Sequence, residues 1–268
     1  VERLDGPPDV TVPVAFTFPP GADEPKGRPA VVLLRANLFD AWHDEPTTFD
    51  WLGQFLASRG YVVIEPAAIQ LSNSADPMKT TTYEQWAPVA TGRVAAALEL
   101  ARAKGWADPA RTCVIGRDFM FLIALESALR TENRIGCLVG VDGIADLASV
   151  LDDYRDAARS DLGRHVDFGL GFFKDQFGPD RAALAAASPS RRIGSLQVDT
   201  LLLANGTERY SSFAQNREIA AALREAAKTV ETVRIVGSDF DFSRSDARAA
   251  YLGHLETFLA AQLGGAAP

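Results

Sequence analysis

Val114-Ile115-Gly116-Arg117-Asp118-Phe119-Met120-Phe121 runs an apolar strand into a glycine and then a carboxylate, where a sharp strand-to-helix turn would display its most reactive side chain. The surroundings of this stretch decide the fold. Runs rich in Val, Ile and Leu recur on both sides of it with helical patterns between them, the alternation of a mostly parallel sheet covered by helices on both faces. The pattern predicts strands at Val10–Phe18, Ala30–Arg35, Tyr61–Pro66, Arg111–Gly116, Gly136–Val141, Thr200–Asn205 and Val230–Val236. Helices are expected at Thr47–Arg59, Tyr83–Lys104, Phe119–Arg130, Phe213–Ala227 and Ala247–Leu263. Gly60, Gly105 and Gly264-Gly265 stand where left-handed residues end three of them.

From Asp146 to Arg192 the alternation breaks into short helical pieces around Asp167–Gln176 and Asp180–Ala187. This region reads as an insertion over the carboxyl edge of the sheet, where open α/β folds bind ligands. The Pro/Gly-rich stretch Pro19–Pro29 is a surface turn, too short for a domain linker. Residues 1–268 are therefore expected to form a single α/β domain.

Composition narrows the partners. With 268 residues, 47% of them hydrophobic, the chain can build one large core. A net charge of −8 and a pI near 5.0 oppose nucleic acid and anionic membranes, and no Lys/Arg cluster offsets that repulsion. No apolar run approaches the roughly 18 residues of a membrane span. Cys113 and Cys137 lie in strand-like runs without metal-ligand spacing and read as buried free thiols, so neither a metal nor a cofactor is expected. The first residue is Val1, which leaves the compartment open: cytoplasmic, or exported with a removed leader.

Five stretches are more specific: DWLGQFLASRGYVVIEP (50–66), AKGWADPARTCVIG (103–116), FGPDRAALAAASPSRRI (177–193), NGTERYSSFAQNREIAAALREAAKTVETV (205–233) and SDFDFSRSDARAAYLGHLETFL (238–259). Together they resemble the catalytic domain of the prolyl-oligopeptidase (S9) family, from about Val10 to Gly265. The resemblance implies an α/β-hydrolase fold with a serine elbow, then an acid, then a histidine in chain order. The β-propeller that usually precedes this domain in the family is not expected in this chain. A homodimer through an edge strand or the last helices is implied by analogy alone.

The family pattern changes at each chemical position. Where the family reads G-G-S-Y-G-G, this chain has Gly116-Arg117-Asp118-Phe119-Met120-Phe121, so Asp118 replaces the serine. The acid loop H-G-x-x-D-x-x-V-P becomes Asn205 to Ser212, with Glu208 the nearest acid. D-H-G-F becomes Asp239-Phe240-Asp241-Phe242, placing Phe240 where the general base belongs, and H-G-G-P becomes Arg35-Ala36-Asn37-Leu38. Serine hydrolysis needs an imidazole to take and return a proton, and a phenyl ring does neither.

The expected pocket comprises Arg35, Asn37, Arg117, Asp118, Phe119, Glu208, Phe240 and Asp241, with Asp118 the one catalytic candidate at the elbow. Its carboxylate is also expected to cap the following helix and to pair with Arg35 across the former active site. Met120 and Phe121 should force the turn open or repack the pocket floor, because glycines usually permit close approach there. Phe119, Met120, Phe121 and Phe240, with Phe168, Phe172 and Phe173, line an apolar cavity or belong to the core. Asp142, Asp239 and Asp241 read as solvated loop acids or turn residues.

His43 and His165 fall in loops, and His254 is structural in the last helix. The leading expectation is a degenerate hydrolase kept as a scaffold for an unknown small molecule or protein. A repurposed enzyme using Asp118 and Arg35, or an Asp-nucleophile hydrolase, is the alternative.

Overall fold

A computed structural model describes residues 2–5, 11–21, 23–34, 51–66, 82–158, 170–171, 173–205, 212–238 and 242–264. Its centre is an eight-stranded sheet of β1 (Glu2–Asp5), β2 (Thr11–Thr17), β3 (Arg28–Leu34), β4 (Val62–Pro66), β5 (Ala107–Arg117), β6 (Cys137–Val141), β7 (Asp199–Ala204) and β8 (Val230–Arg234). The spatial order is β1-β2-β4-β3-β5-β6-β7-β8. β1 and β2 join antiparallel at one side, and β4 through β8 continue parallel. The chain passes from β3 outward to β4, then returns to β5 on the other side of β3. Doubly wound sheets hold ligands beyond the carboxyl ends of the strands at such a reversal.

The inner strands read as continuous apolar runs because helices bury both faces. Val32, Leu34, Val114, Leu138 and Leu202 face one layer, which contains α2 (Tyr83–Ala103), α3 (Met120–Leu129), α4 (Leu147–Ala158), α5 (Arg181–Ala187) and α6 (Ser212–Glu225). The alternate residues Leu33, Ile115, Val139 and Leu203 face α1 (Trp51–Ser58) and α7 (Ser245–Leu263). Gly60, Gly105 and Gly264 follow α1, α2 and α7 with φ of 86°, 73° and 67°, as their sequence positions predict.

The insertion differs from its sequence reading. Its first part is a three-turn helix, α4, whose start is capped by Asp146 Oδ1, which accepts the amide hydrogens of Ala148 and Ser149 at 2.8 and 3.2 Å. Residues 173–177 form a short helical stretch, and α5 occupies its expected place behind the Asp180 cap. The cysteines are likewise not free. Cys113 and Cys137 pair in register on β5 and β6, their Cα atoms are 4.6 Å apart, and a disulfide joins them.

Candidate functional site

Between β5 and α3 the backbone turns through Asp118, a non-glycine residue with φ of +54°. The Asp118 amide donates to the Val141 carbonyl at 2.9 Å, and its own carbonyl accepts from Phe121 and Ile144 at 3.0 and 3.4 Å. These bonds hold the strained conformation, which costs about 1–3 kcal/mol in isolation. Asp118 is not the helix cap that the sequence suggests. Phe119 occupies that position in αR geometry, with no side-chain cap bond, because the left-handed turn has already redirected the chain one residue earlier.

Met120 and Phe121 do not force this turn open. A Cβ on Gly116 would lie 2.7 Å from the Met120 carbonyl oxygen and from Phe121 Cα, so strand and helix remain at glycine-only separation. Phe121 is fully buried in space left by two other glycines: a Cβ on Gly140 or Gly143 would come within 2.7 or 2.6 Å of its ring. The bulk of Phe121 is accommodated at β6 and just after it. Met120 and Phe173 are also core, while half-buried Phe119 packs on Phe177 with ring centroids 5.0 Å apart.

Asp142 corrects its reading as a solvated acid. It ends β6 with φ of +49°, is buried, and accepts from the Asn205 amide at 2.9 Å and from Asn205 Nδ2 at 2.7 Å. Burial raises its carboxyl pKa; the Asn205 bonds and the nearby positive charge of Arg117 work the other way. The loop after it is fixed by Gln215 Oε1, which accepts from the amides of Ala145 and Asp146, each at 2.9 Å. Sequence reasoning passed over Asp142 and Asn205 as site residues, although each follows an apolar run that ends at the carboxyl edge. Asp142-Gly143 repeats the strand-end carboxylate that drew attention to Asp118.

Arg117 lies two residues beyond Ile115 on β5 and so faces the same α1 and α7 side. Its guanidinium carbon lies 5.9 Å from the centroid of the Phe242 ring, which stacks on Tyr251 of α7 at 4.7 Å. Phe242 is buried with φ of +49°, an unusual conformation for so bulky a residue. Beside it lies a partly open cavity of about 100 Å³, with Leu33, Ile115 and Val141 of the strands and Trp51, Leu52 and Tyr251 of the helices on its wall. Asp118, Asp142 and Phe242 thus bring three strained backbones to one end of the sheet.

Of the expected pocket residues, Arg117, Asp118 and Phe119 are brought together here. Arg35, Asn37, Glu208, Phe240 and Asp241 lie outside the described residues, as do Asp239, Phe168, Phe172, His43 and His165, so the expected Arg35–Asp118 pair falls there too. His254 stands on the outer part of α7, with Nδ1 3.7 Å from Glu231 Oε1 of β8. Among the described residues, no cluster of His, Cys, Asp and Glu gathers to hold a metal ion, and no helix is long and apolar enough to cross a membrane.

A parallel sheet wrapped on both faces, with a left-handed turn between its fifth strand and the buried helix that follows, defines an α/β-hydrolase fold. Solved structures share it. A Mycobacterium tuberculosis puromycin-hydrolyzing peptidase matches 98% of this chain and 39% of its own, with a TM-score of 0.81 and 23% identity. Pyrococcus horikoshii acylaminoacyl peptidase matches 100% and 42%, with a TM-score of 0.78 and 15% identity. An esterase from the planctomycete Thermogutta terrifontis matches 100% of this chain and 95% of its own, with a TM-score of 0.71 and 15% identity. The chain spans about two fifths of the length of the two peptidases. No family model and no curated protein matches it.

Proposed function

We propose that this chain is a catalytically degenerate, S9-like α/β-hydrolase domain whose crevice above Asp118 is retained to bind a small molecule or a protein segment. The observation that carries the reading is the elbow itself. Its strained turn and its glycine-only approach of strand to helix are intact, yet a carboxylate occupies the position of the nucleophile. Backbone strain persists where a site depends on it, whereas a turn with no remaining role would be free to relax. The sequence supports loss of serine chemistry, because Asp118 and Phe240 replace the serine and histidine of the resembled motifs. Residues 146–192 would cover the crevice within the same domain.

The reading is tested by incubating the purified chain with a fluorophosphonate probe and a panel of esters and peptides, and by native mass spectrometry. No labelling, no turnover and a co-purifying ligand that is lost in Asp118→Ala are expected. Turnover that disappears in Asp118→Ala would overturn it. A second reading, an Asp-nucleophile enzyme, is favoured by the position of half-buried Asp118 at the turn, next to the strand end that carries the buried acid Asp142. In that chemistry a carboxylate oxygen bonds to the substrate carbon as halide leaves, or as an epoxide ring opens. An adduct on Asp118, seen by intact mass after exposure to an alkyl halide or epoxide, would select it.

A further inference from the structure

The cavity beside Phe242 lies on the α1 and α7 side of the sheet, whereas the crevice reading concerns the turn above it. Its floor is built from paired strand positions: Leu33 stands opposite Ile115, and Val141 opposite Arg117. All three floor side chains are aliphatic, and Trp51, Tyr251 and Phe242 present aromatic surface from the other sides. Water needs two to four polar partners to occupy such a space comfortably, and this wall is mostly carbon. An apolar cavity of about 150 Å³ can hold a benzene ring, which sets the scale for a space of about 100 Å³ here.

Charge limits the occupant further. Among the described residues, Arg117 is the one ionic group on the wall, and it already interacts electrostatically with Asp142. A charged ligand would upset that balance in a poorly solvated place, whereas a neutral one would not. The roof is also the strained residue: Phe242 combines a left-handed backbone with stacking on Tyr251 and a guanidinium near its ring.

We propose that this cavity is a separate binding site for one small, uncharged aromatic ring, with Phe242 as its roof and Arg117 at its rim. The ring enters by displacement of the Phe242 side chain and stacks on the Tyr251 face that Phe242 leaves, in a contact that aromatic pairs favour. This goes beyond the crevice reading and does not need Asp118.

Benzene is the probe. Methyl NMR of the full chain should show saturable shifts at Leu33, Ile115 and Val141 on titration with benzene. Val141→Leu, which adds one carbon to the floor, should weaken binding by about tenfold or more. If that variant does not fold, Leu52→Phe blocks the same space from α1 and should do likewise. Unshifted methyls at saturating benzene, or unchanged affinity in the folded filling variant, would overturn the inference. Either result leaves ligand capture above Asp118 standing, and loss of that capture with benzene binding intact would overturn the crevice reading alone.

Discussion

Asp142 and Glu126 are both buried carboxylates, but the chain holds them in opposite ways. Glu126 sits within regular α3, pairs with Arg192 from the 3-10 turn Pro189–Ser195, and lies beside Tyr83 of α2. Burial, then the neighbouring Glu126 charge, raises the Tyr83 hydroxyl pKa well above its usual value. That cluster ties three elements together without departing from helical geometry. Asp142 instead takes a left-handed backbone at a strand end, beside two other strained residues and a cavity. A buried charge alone therefore says little about function. Charge combined with strain at a topological switch point says much more.

The largest effect expected from separating these regions is at Phe121, which joins α3 to the glycine-lined edge. Phe121→Ala should cost about 3–5 kcal/mol in urea unfolding, since it removes a fully buried ring packed against Gly140 and Gly143. A loss under about 1 kcal/mol would mean that the edge does not depend on this packing.

Arg192→Ala comes next, at about 1–3 kcal/mol, because it strips a partner from the buried Glu126 carboxylate. Ligand retention should survive this change. If retention is lost while the variant stays folded, the helical cluster belongs to the site and the contrast fails.

Asp142 carries a pH signature. Its carboxyl pKa is raised in the native state, so the native chain holds that proton to higher pH than the unfolded chain does. Its contribution to stability is fully present below the unfolded value of about 3.9 and is lost as pH rises through the native value. Relative to Asp142→Asn, wild-type stability should decline across that acidic window in urea titrations. A difference that stays constant with pH would show that burial does not govern this group.

The smallest change in stability is expected from Asp118→Gly. Glycine adopts the +54° turn without steric cost but adds freedom to the unfolded chain, so stability should move by no more than about 1 kcal/mol in either direction. Ligand retention should nevertheless be abolished. A large destabilisation, read by calorimetry, would make Asp118 a structural residue after all.

Much of this was legible in order along the chain. The strand runs, the helix-ending glycines and the turn at Asp118 all depend on neighbours within a few residues, so local pattern reports them. The cap on α3 was misplaced because helix propensity cannot reveal that Asp118 has already turned left-handed. The glycines that receive Phe121 lie 19 and 22 positions away, at Gly140 and Gly143, and only packing connects them. The same holds for Asp142, whose partner Asn205 is 63 residues distant, and for the disulfide, whose cysteines are 24 residues apart.

By itself, the sequence determined the alternation of strands and helices and the presence of a carboxylate at the central turn, since both are properties of local residue order. Tertiary structure alone decided that Asp142 is buried, that the elbow keeps its shape around Phe121, and that a cavity lies beside Phe242. The reason is physical: strand register and side-chain volume act between residues distant in the chain, and their outcome depends on which surfaces folding brings into contact.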